Sequence, residues 1–449
     1  MKLSGWGRYP QMENTPLRPA HTPAVQSIIA TQVSSDLSQT DRPGLVARGL
    51  GRSYGDSALA NSLITTQNLD HFLAFDEETG ILHCASGVSF AEILKLFVPK
   101  GWFLPVTPGT QFVTVGGAIA SDVHGKNHHL DGSFSTHLIS LKLMVASGDI
   151  IECSAVQNRE LFLATCGGMG LTGIILEACF QMLAIESAYI QEATWKTNNL
   201  VETLALFDEF QQTTYSVAWI DCLSTGKQLG RSLLMLGEHV KKDSLADHLQ
   251  AAKTGTTGKL SIPIDMPNFV LNSYSIKAFN SLYYNKVRQK QMQRQVHYAP
   301  FFYPLDSIQN WNRLYGKNGF TQYQFVLPKA AGLEGMTKIL SKIAESKRGS
   351  FLAVLKVFGK ANDNYLSFPM EGYTLALDFK IDSTLFAFLD ELDAIVLDYG
   401  GRLYLTKDAR MSEATFKQSY PLWEQFQEVR HQYGAEKLFN SLQSQRLGL

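Results

Sequence analysis

The chain has 449 residues, a hydrophobic fraction of 45% and a formal charge of -1 from 40 basic and 41 acidic side chains. That length allows two or three cored units, the apolar content excludes a disordered chain, and the charge balance excludes nucleic-acid capture through a global field. Five cysteines, Cys84, Cys153, Cys166, Cys179 and Cys222, are odd in number and scattered, which fits a reducing, cytoplasmic compartment better than a disulfide scaffold. The opening MKLSGWGRYPQMENTP has no apolar segment of the export type.

In chain order, a short helix is predicted over Ala24–Thr31 and a strand over Gly44–Ala47, running straight into RGLGRSYGDSA. A strand followed by a glycine-rich turn is where backbone amides can hold a phosphate or pyrophosphate, with Arg48 and Arg52 at hand. Strands at Leu63–Thr66, around Phe75 and at Ile81–Ala85 precede a helix Phe90–Phe97, opened by Ser89 and closed by Gly101. A strand Phe103–Val106 then leads into Pro108–His129, PGTQFVTVGGAIASDVHGKNHH. Residues this small leave N–H groups open to a flat ligand or an anion, so the stretch reads as a cradle. Gly101–Ser121 carries no charge, but four glycines, two prolines and three threonines make a poor lipid-facing helix.

Beyond it, His137–Ser154 reads as a hairpin turning at Ser147-Gly148-Asp149, and Arg159–Cys166 as a helix. The following GGMGLTG holds a G-x-G-x-x-G at Gly168, Gly170 and Gly173. A dinucleotide fingerprint needs a strand before and a helix after, whereas here a helix precedes and the strand Ile174–Phe180 follows. These glycines are therefore a turn letting a second backbone segment pass close to the same ligand. The texture changes near Ile185, where a domain boundary is expected.

A helix is predicted over Leu200–Gln212, a strand over Tyr215–Cys222 and a mobile loop over Thr254–Ser273. Ala278–His297 is predicted as one helix in which Tyr283, Tyr284, Lys286, Arg288, Lys290 and Arg294 interleave, either a solvated face or a surface for anionic headgroups. Tyr298–Ser307 is expected to be a further loop. Three strands then alternate: Phe320–Leu327, Phe351–Phe358 and Tyr373–Phe379. Gln322 and Gln324 share one face, Lys356 shares a face with Leu352 and Val354, and Thr374, Ala376 and Asp378 share another. A lysine in an apolar strand is costly unless paired. In one sheet these residues would be either the polar lining of a pocket, joined by Trp219 and Asp221, or a structural Lys–Asp pair. GGRLYLTKDAR, Gly400–Arg410, places Arg402, Lys407 and Arg410 in a short loop suited to an anion, and two helices are predicted over Glu413–Arg430 and Glu436–Arg446. His124, His128, His129 and His137 match no standard zinc spacing, so no metal is expected; an imidazole after such a backbone reads as a group at the edge of a ligand, and His137 as structural.

Together GRSYGD (Gly51–Asp56), the stretch Pro108–His129, GLTGII (Gly170–Ile175), QYQFV (Gln322–Val326) and GGRLY-x-x-KD (Gly400–Asp408) resemble, in order, the decaprenylphosphoryl-β-D-ribose 2′-oxidases of the vanillyl-alcohol-oxidase-like FAD oxidoreductases. The resemblance implies an α+β fold: a two-lobed FAD-binding domain of the vanillyl-alcohol-oxidase/PCMH type at 1–185, completed by 401–449, with an antiparallel-sheet substrate domain flanked by helices at 186–400. It implies noncovalent FAD, its pyrophosphate on Ala47, Arg48, Gly49, Leu50, Gly51, Arg52, Ser53, Tyr54, Gly55, Asp56 and Ser57. The ring would lie beside Thr114, Val115, Gly116 and Gly117 and beside Ser121, Asp122, Val123, His124 and Gly125, with further contacts from Gly109, Thr110, Gly170, Ile175 and Tyr404. Lys407 would meet charge developing at the ring, Tyr54 and His124 would flank the reacting hydroxyl, and Trp219, Gln322, Gln324, Lys356, Ala376 and Asp378 would hold the sugar. No base is assigned.

Ala376 stands where mycobacterial relatives carry a cysteine, and Thr374 where they carry an asparagine. The implied reaction is oxidation of the 2′-hydroxyl of a polyprenylphosphoryl-β-D-ribose to a ketone, the first half of an epimerisation in cell-wall synthesis completed by a separate NADH-dependent short-chain reductase. Peripheral contact with the inner face of the membrane is consistent with that substrate. The alternatives are oxidation of a free sugar, alditol or aldonolactone, and flavin binding without oxidase chemistry.

Overall fold

The structure, a computed structural model, describes residues 1–34, 44–246, 260–267 and 269–449. Helix α1 (Thr22–Ser34) precedes a parallel pair, β1 (Leu45–Arg48) with β2 (Ser62–Thr65), and then β3 (Phe72–Phe75) and β4 (Ile81–Ala85). Helix α2 (Phe90–Phe97) begins on a capping box: Ser89 Oγ accepts from the Glu92 N–H while the Glu92 carboxylate accepts from the Ser89 N–H. The predicted strand after it is reduced to Trp102–Phe103. Helix α3 (Val115–Ala120), capped by Thr114, is the cradle itself.

Strands β5 (Leu138–Met144) and β6 (Ile150–Cys153) form the expected hairpin, α4 (Arg159–Thr165) follows, and β7 (Ile174–Gln181) closes an antiparallel five-stranded sheet of order β3-β4-β7-β5-β6. From β8 (Tyr189–Thr197) the chain builds a second sheet with β9 (Tyr215–Ile220), β10 (Ser232–His239), β11 (Gln291–His297), β12 (Phe320–Pro328), β13 (Ala353–Phe358), β14 (Gly372–Lys380) and β15 (Arg402–Leu403). Its order is β11-β8-β10-β9-β13-β14-β12-β15, eight strands with antiparallel neighbours throughout. Helices α5 (Leu200–Glu209), α6 (Ser273–Asn285), α7 (Gly332–Ser346) and α8 (Leu385–Asp398) accompany it, and α9 (Glu413–Ser419), α10 (Trp423–Gln432) and α11 (Leu442–Leu447) end the chain. β9, β12 and β14 are buried almost end to end, as strands covered on both faces must be.

Several expectations are corrected. The helix expected over Ala278–His297 stops at Asn285, and Gln291–His297 is instead the edge strand β11, paired with β8. The run QMQRQVH alternates, so a strand turns Met292 and Arg294 to one face, which a helix cannot do. Tyr298–Ser307 is ordered as a short helix Tyr298–Phe302 and a 3₁₀ turn, anchored by buried Phe301, Phe302 and Tyr303. The helix expected over Glu413–Arg430 breaks at Tyr420-Pro421, where proline cannot donate to the preceding turn. The one expected over Glu436–Arg446 is a 3₁₀ turn followed by α11, which starts at the Ser441 cap. Of the loop expected over Thr254–Ser273, residues 254–259 and 268 lie outside the described residues; Leu260–Ser261 pairs in parallel with Ile308–Gln309, and Asn272 caps α6.

Candidate active site

A cavity of about 760 Å³ runs between the β1–β2 turn, α3 and one face of the eight-stranded sheet. Its glycine-rich wall comes from Ala47, Gly49 to Tyr54, Ser57, Gly109, Thr110, Thr114, Gly116 and Gly117, joined by Ser121, Val123, His124, Gly125, Gly170 and Ile175. Tyr404 and Lys407 reach it from the loop after β15, and Trp219, Gln322, Gln324, Lys356 and Ala376 from the sheet. Two segments about 350 residues apart in sequence meet where the Tyr54 N–H donates to the Thr406 carbonyl at 2.9 Å. Gly55 is required there, because a Cβ would collide with the Asp408 carbonyl.

Six residues expected at the cofactor or sugar do not lie on this wall. Arg48 donates to the carbonyls of Ser4 and Ala58, Asp56 pairs with Arg446 at 2.8 Å, and Gly55 backs onto Asp408. Val115 is wholly buried in the core. Asp122, at φ +38°, accepts from Ser367 Oγ (2.6 Å), Asn362 Nδ2 (2.7 Å), Asn364 Nδ2 (3.0 Å) and the Ser135 N–H (3.1 Å), and so fixes the backbone two residues before His124. Asp378 stands behind Gln322, accepting from its amide at 2.7 Å and from Tyr315 Oη at 3.4 Å, and it does not pair with Lys356. Asp221, expected beside Trp219, is held by Arg231 at 2.8 Å. Of the three cations expected in the last loop only Lys407 lines the cavity: Arg410 pairs with Asp393 at 2.6 Å and Arg402 donates to the Ser367 carbonyl.

His124 is buried against Phe358, Phe368 and Tyr404. The Gln324 amide donates to its Nε2 at 3.1 Å. Burial first, then the ammonium of Lys356, then His128 and Lys407, hold its pKa well below the usual imidazole range, so the ring is neutral and its proton sits on Nδ1. Of the other imidazoles, His128 accepts from the Gly359 N–H, while His129 and His137 donate to the Thr213 and Asp131 carbonyls; each is structural. No group of side chains able to hold a metal ion occurs among the described residues.

The cationic side chains are unusual in their burial. Lys407 lies 4.0 Å over the Tyr54 ring, and burial pulls its pKa down to about 8, opposed by Asp378. Lys356 falls to about 7 through burial, with Lys407 and Lys126 adding to the shift. Lys126 also falls to about 7 through burial, opposed by Glu192; its ammonium donates to the Phe301 carbonyl and lies 4.0 Å over that ring. Asp378 is pushed up to about 7 by burial, opposed by Gln322, Lys407 and Tyr315. A bound anion would repay the desolvation of the ammonium groups, so this end of the cavity is built to receive negative charge.

The protein itself fits a flavin dinucleotide. The N–H groups of Leu50, Gly51, Arg52 and Ser53 donate to no backbone carbonyl among the described residues, which leaves a row of donors for a pyrophosphate. Ser86 Oγ and His124 Nδ1 are buried on the wall without a hydrogen-bond partner among the described residues. At Gly116 a Cβ would stand 3.0 Å from the Ser86 Cβ, while at Gly109 it would meet nothing within 4 Å, so the backbone itself forms the surface a flat ring would lie against.

Lys126, Glu192, Thr194, Val217, Leu233, Met235 and Met292 also line the cavity and were not singled out from sequence. Lys126 sits inside the HGKNHH run and had a visible signal. The others are ordinary strand residues with none.

The family described as "FAD binding domain" matches residues 17–154. The chain is 37% identical to the decaprenylphosphoryl-beta-D-ribose oxidase of Mycolicibacterium smegmatis, over 100% of this chain and 97% of that protein. It is 20% identical to an L-gulono-1,4-lactone dehydrogenase of Mycobacterium tuberculosis, over 88% and 87% of the two chains. The fold, the glycine-lined cavity and these likenesses define an FAD-dependent oxidoreductase. Within that class, the chain belongs to the decaprenylphosphoryl-β-D-ribose oxidase family.

Proposed function

We propose that this protein oxidises the 2′-hydroxyl of a polyprenylphosphoryl-β-D-ribose to the ketone. The observation that carries the reading is the convergence of Lys407, Lys356, Gln322 and Gln324 with Tyr54 and His124 at one end of the cavity, in a chain similar along its whole length to a decaprenylphosphoryl-beta-D-ribose oxidase. FAD, held noncovalently, supplies the two-electron acceptor for the hydride leaving the carbinol carbon. In keeping with noncovalent binding, the Nε2 of His124 is already engaged by Gln324.

The side chains divide the work. Lys407 places an ammonium where negative charge develops during hydride loss. Gln322, fixed by Asp378, acts with Gln324, Lys356 and Trp219 to orient the sugar, and Ala376 leaves room above the floor. Tyr54 and the neutral His124 flank the reacting hydroxyl, and the aromatic wall of Phe358, Phe368 and Tyr404 packs around the imidazole and keeps water from it. Segments 1–185 and 401–449 form the cofactor unit and 186–400 the substrate unit, with the Tyr54–Thr406 hydrogen bond joining the two ends of the former. The ketone is then consumed by a separate NADH-dependent reductase. The enzyme meets its lipid substrate peripherally in this reading; no helix among the described residues is long and apolar enough to cross a membrane.

The likeness to a lactone dehydrogenase favours a second reading, oxidation of a free aldonolactone or alditol. Anaerobic addition of polyprenylphosphoryl ribose, followed through flavin absorbance, tests both: bleaching supports the proposal, while bleaching only by free lactones or alditols favours the second.

A further inference from the structure

The floor of the cavity continues past its polar end. In the sheet register Gln324 lies opposite Ala376, Ala376 opposite Val354, Val354 opposite Trp219 and Trp219 opposite Leu233. One pleat further on, Val217 lies opposite Met235, Met235 opposite Thr194 and Thr194 opposite Met292. All of these side chains line the same cavity, which therefore crosses the sheet from β12 to the edge strand β11. Along the way the surface changes from amides and an ammonium to Val217, Leu233, Met235 and Met292, with Tyr283 and Val287 also on its wall. Unbranched methionines adapt to a flexible apolar chain.

Charge on the wall sorts by place. At the outer end Glu192 accepts from Arg294 at 3.0 and 3.1 Å. At the sugar end Lys407 has Asp378 behind Gln322, and near the dinucleotide turn Arg52 has Asp306. Lys286 stands exposed at the rim. Between the two ends lie Lys356 and Lys126, both partly buried; the ammonium of Lys126 meets a carbonyl and an aromatic face, Glu192 acts on it only from beyond ion-pair distance, and neither lysine forms an ion pair with a carboxylate among the described residues. They sit where the polar floor gives way to the apolar one.

We propose that the phosphodiester of the substrate docks between Lys356 and Lys126, and that its first isoprene units lie in the Val217–Leu233–Met235–Met292 channel, leading the lipid across the sheet toward β11. This rests on the polyprenylphosphoryl-ribose reading and adds the direction in which that substrate lies.

The test compares farnesylphosphoryl ribose, methylphosphoryl ribose and methyl riboside on the flavin-loaded enzyme, with a diazirine on the second isoprene unit of the first for mapping. For the wild type, kcat/KM for the farnesyl compound should exceed that for the methyl phosphodiester roughly a hundredfold, the order expected for a few buried methylene groups. Within each of the variants Val217→Trp and Met292→Trp that ratio should fall to within about threefold, a comparison that does not depend on how much variant protein is active. Lys126→Met should raise KM for both phosphodiesters at least tenfold but not for methyl riboside, and Lys126→Arg should recover most of the loss. The photolabel should map to β9, β10 or β11. Equal efficiency for the two phosphodiesters in the wild type, or labelling confined to Trp6 and Trp311, which line the same cavity in edge-to-face contact with each other, overturns the path alone. Failure of the wild type to oxidise either phosphodiester overturns the function and the path together.

Discussion

Replacing Lys407 with methionine tests the electrostatic core of the site. Methionine, one atom shorter, keeps an unbranched apolar stem beside Tyr54 and removes the ammonium that lies 4.0 Å over its ring. Burial lowers the pKa from 10.5 to about 8, even with Asp378 opposing the shift. At 1.36 kcal/mol per unit, holding that ammonium desolvated costs about 3 kcal/mol, and negative charge developing beside it recovers a comparable amount. Lys407→Met should therefore slow anaerobic flavin reduction on the order of a hundredfold or more. The sign of the pH dependence follows from the same group. A lysine with a lowered pKa is protonated below about 8 and neutral above it, so the wild-type rate constant should fall as pH rises through about 8. Lys407→Arg keeps its charge across this range, so the alkaline limb should vanish even if the absolute rate drops. Stopped-flow reduction across pH 6–10 is the assay. A Lys407→Met enzyme within threefold of wild type, or an alkaline limb that survives in Lys407→Arg, would refute the role.

Gly55→Ala drives a Cβ into the Asp408 carbonyl and separates the turn carrying Tyr54 from the loop carrying Lys407; purified protein should carry little flavin and melt several degrees lower, and full flavin content would contradict the packing. Asp122→Ala strips the partner from Ser367, Asn362, Asn364 and the Ser135 N–H, a loss of about 3 kcal/mol for buried donors, readable as a lowered unfolding midpoint. Ala376 lies on the cavity wall, whereas four of the five cysteines are buried and Cys179 is partly so. A site-directed electrophile should thus leave the wild type unmodified by intact mass and add once to Ala376→Cys, and a wild-type adduct would contradict this.

Much of the site was legible locally because local chemistry dictates it. The capping box at Ser89 and Glu92, the small residues of α3 and the alternation that turns Leu352, Val354 and Lys356 toward one cavity each depend on neighbours a few positions away. The same periodicity misled at Ala278–His297: the interleaved basic and aromatic residues suit a solvated helix, and only pairing with β8 made Gln291–His297 a strand. Asp378 was readable as pocket lining or as a partner for Lys356, but its actual partners are Gln322 and Tyr315, and Asp122 was turned from ligand to scaffold by donors about 240 residues later.

The sequence alone pointed to a glycine-dense backbone able to cradle a flat, anionic cofactor and to lysine, glutamine and histidine in the motifs around it, because backbone freedom and side-chain chemistry are properties of the residues themselves; that the imidazole is neutral was decided by its burial. Only the tertiary structure decided which face of which strand looks into the cavity, and that Val217, Met235 and Met292 extend its floor. Nothing marks an apolar strand residue as facing a cavity until long-range strand pairing has placed its neighbours.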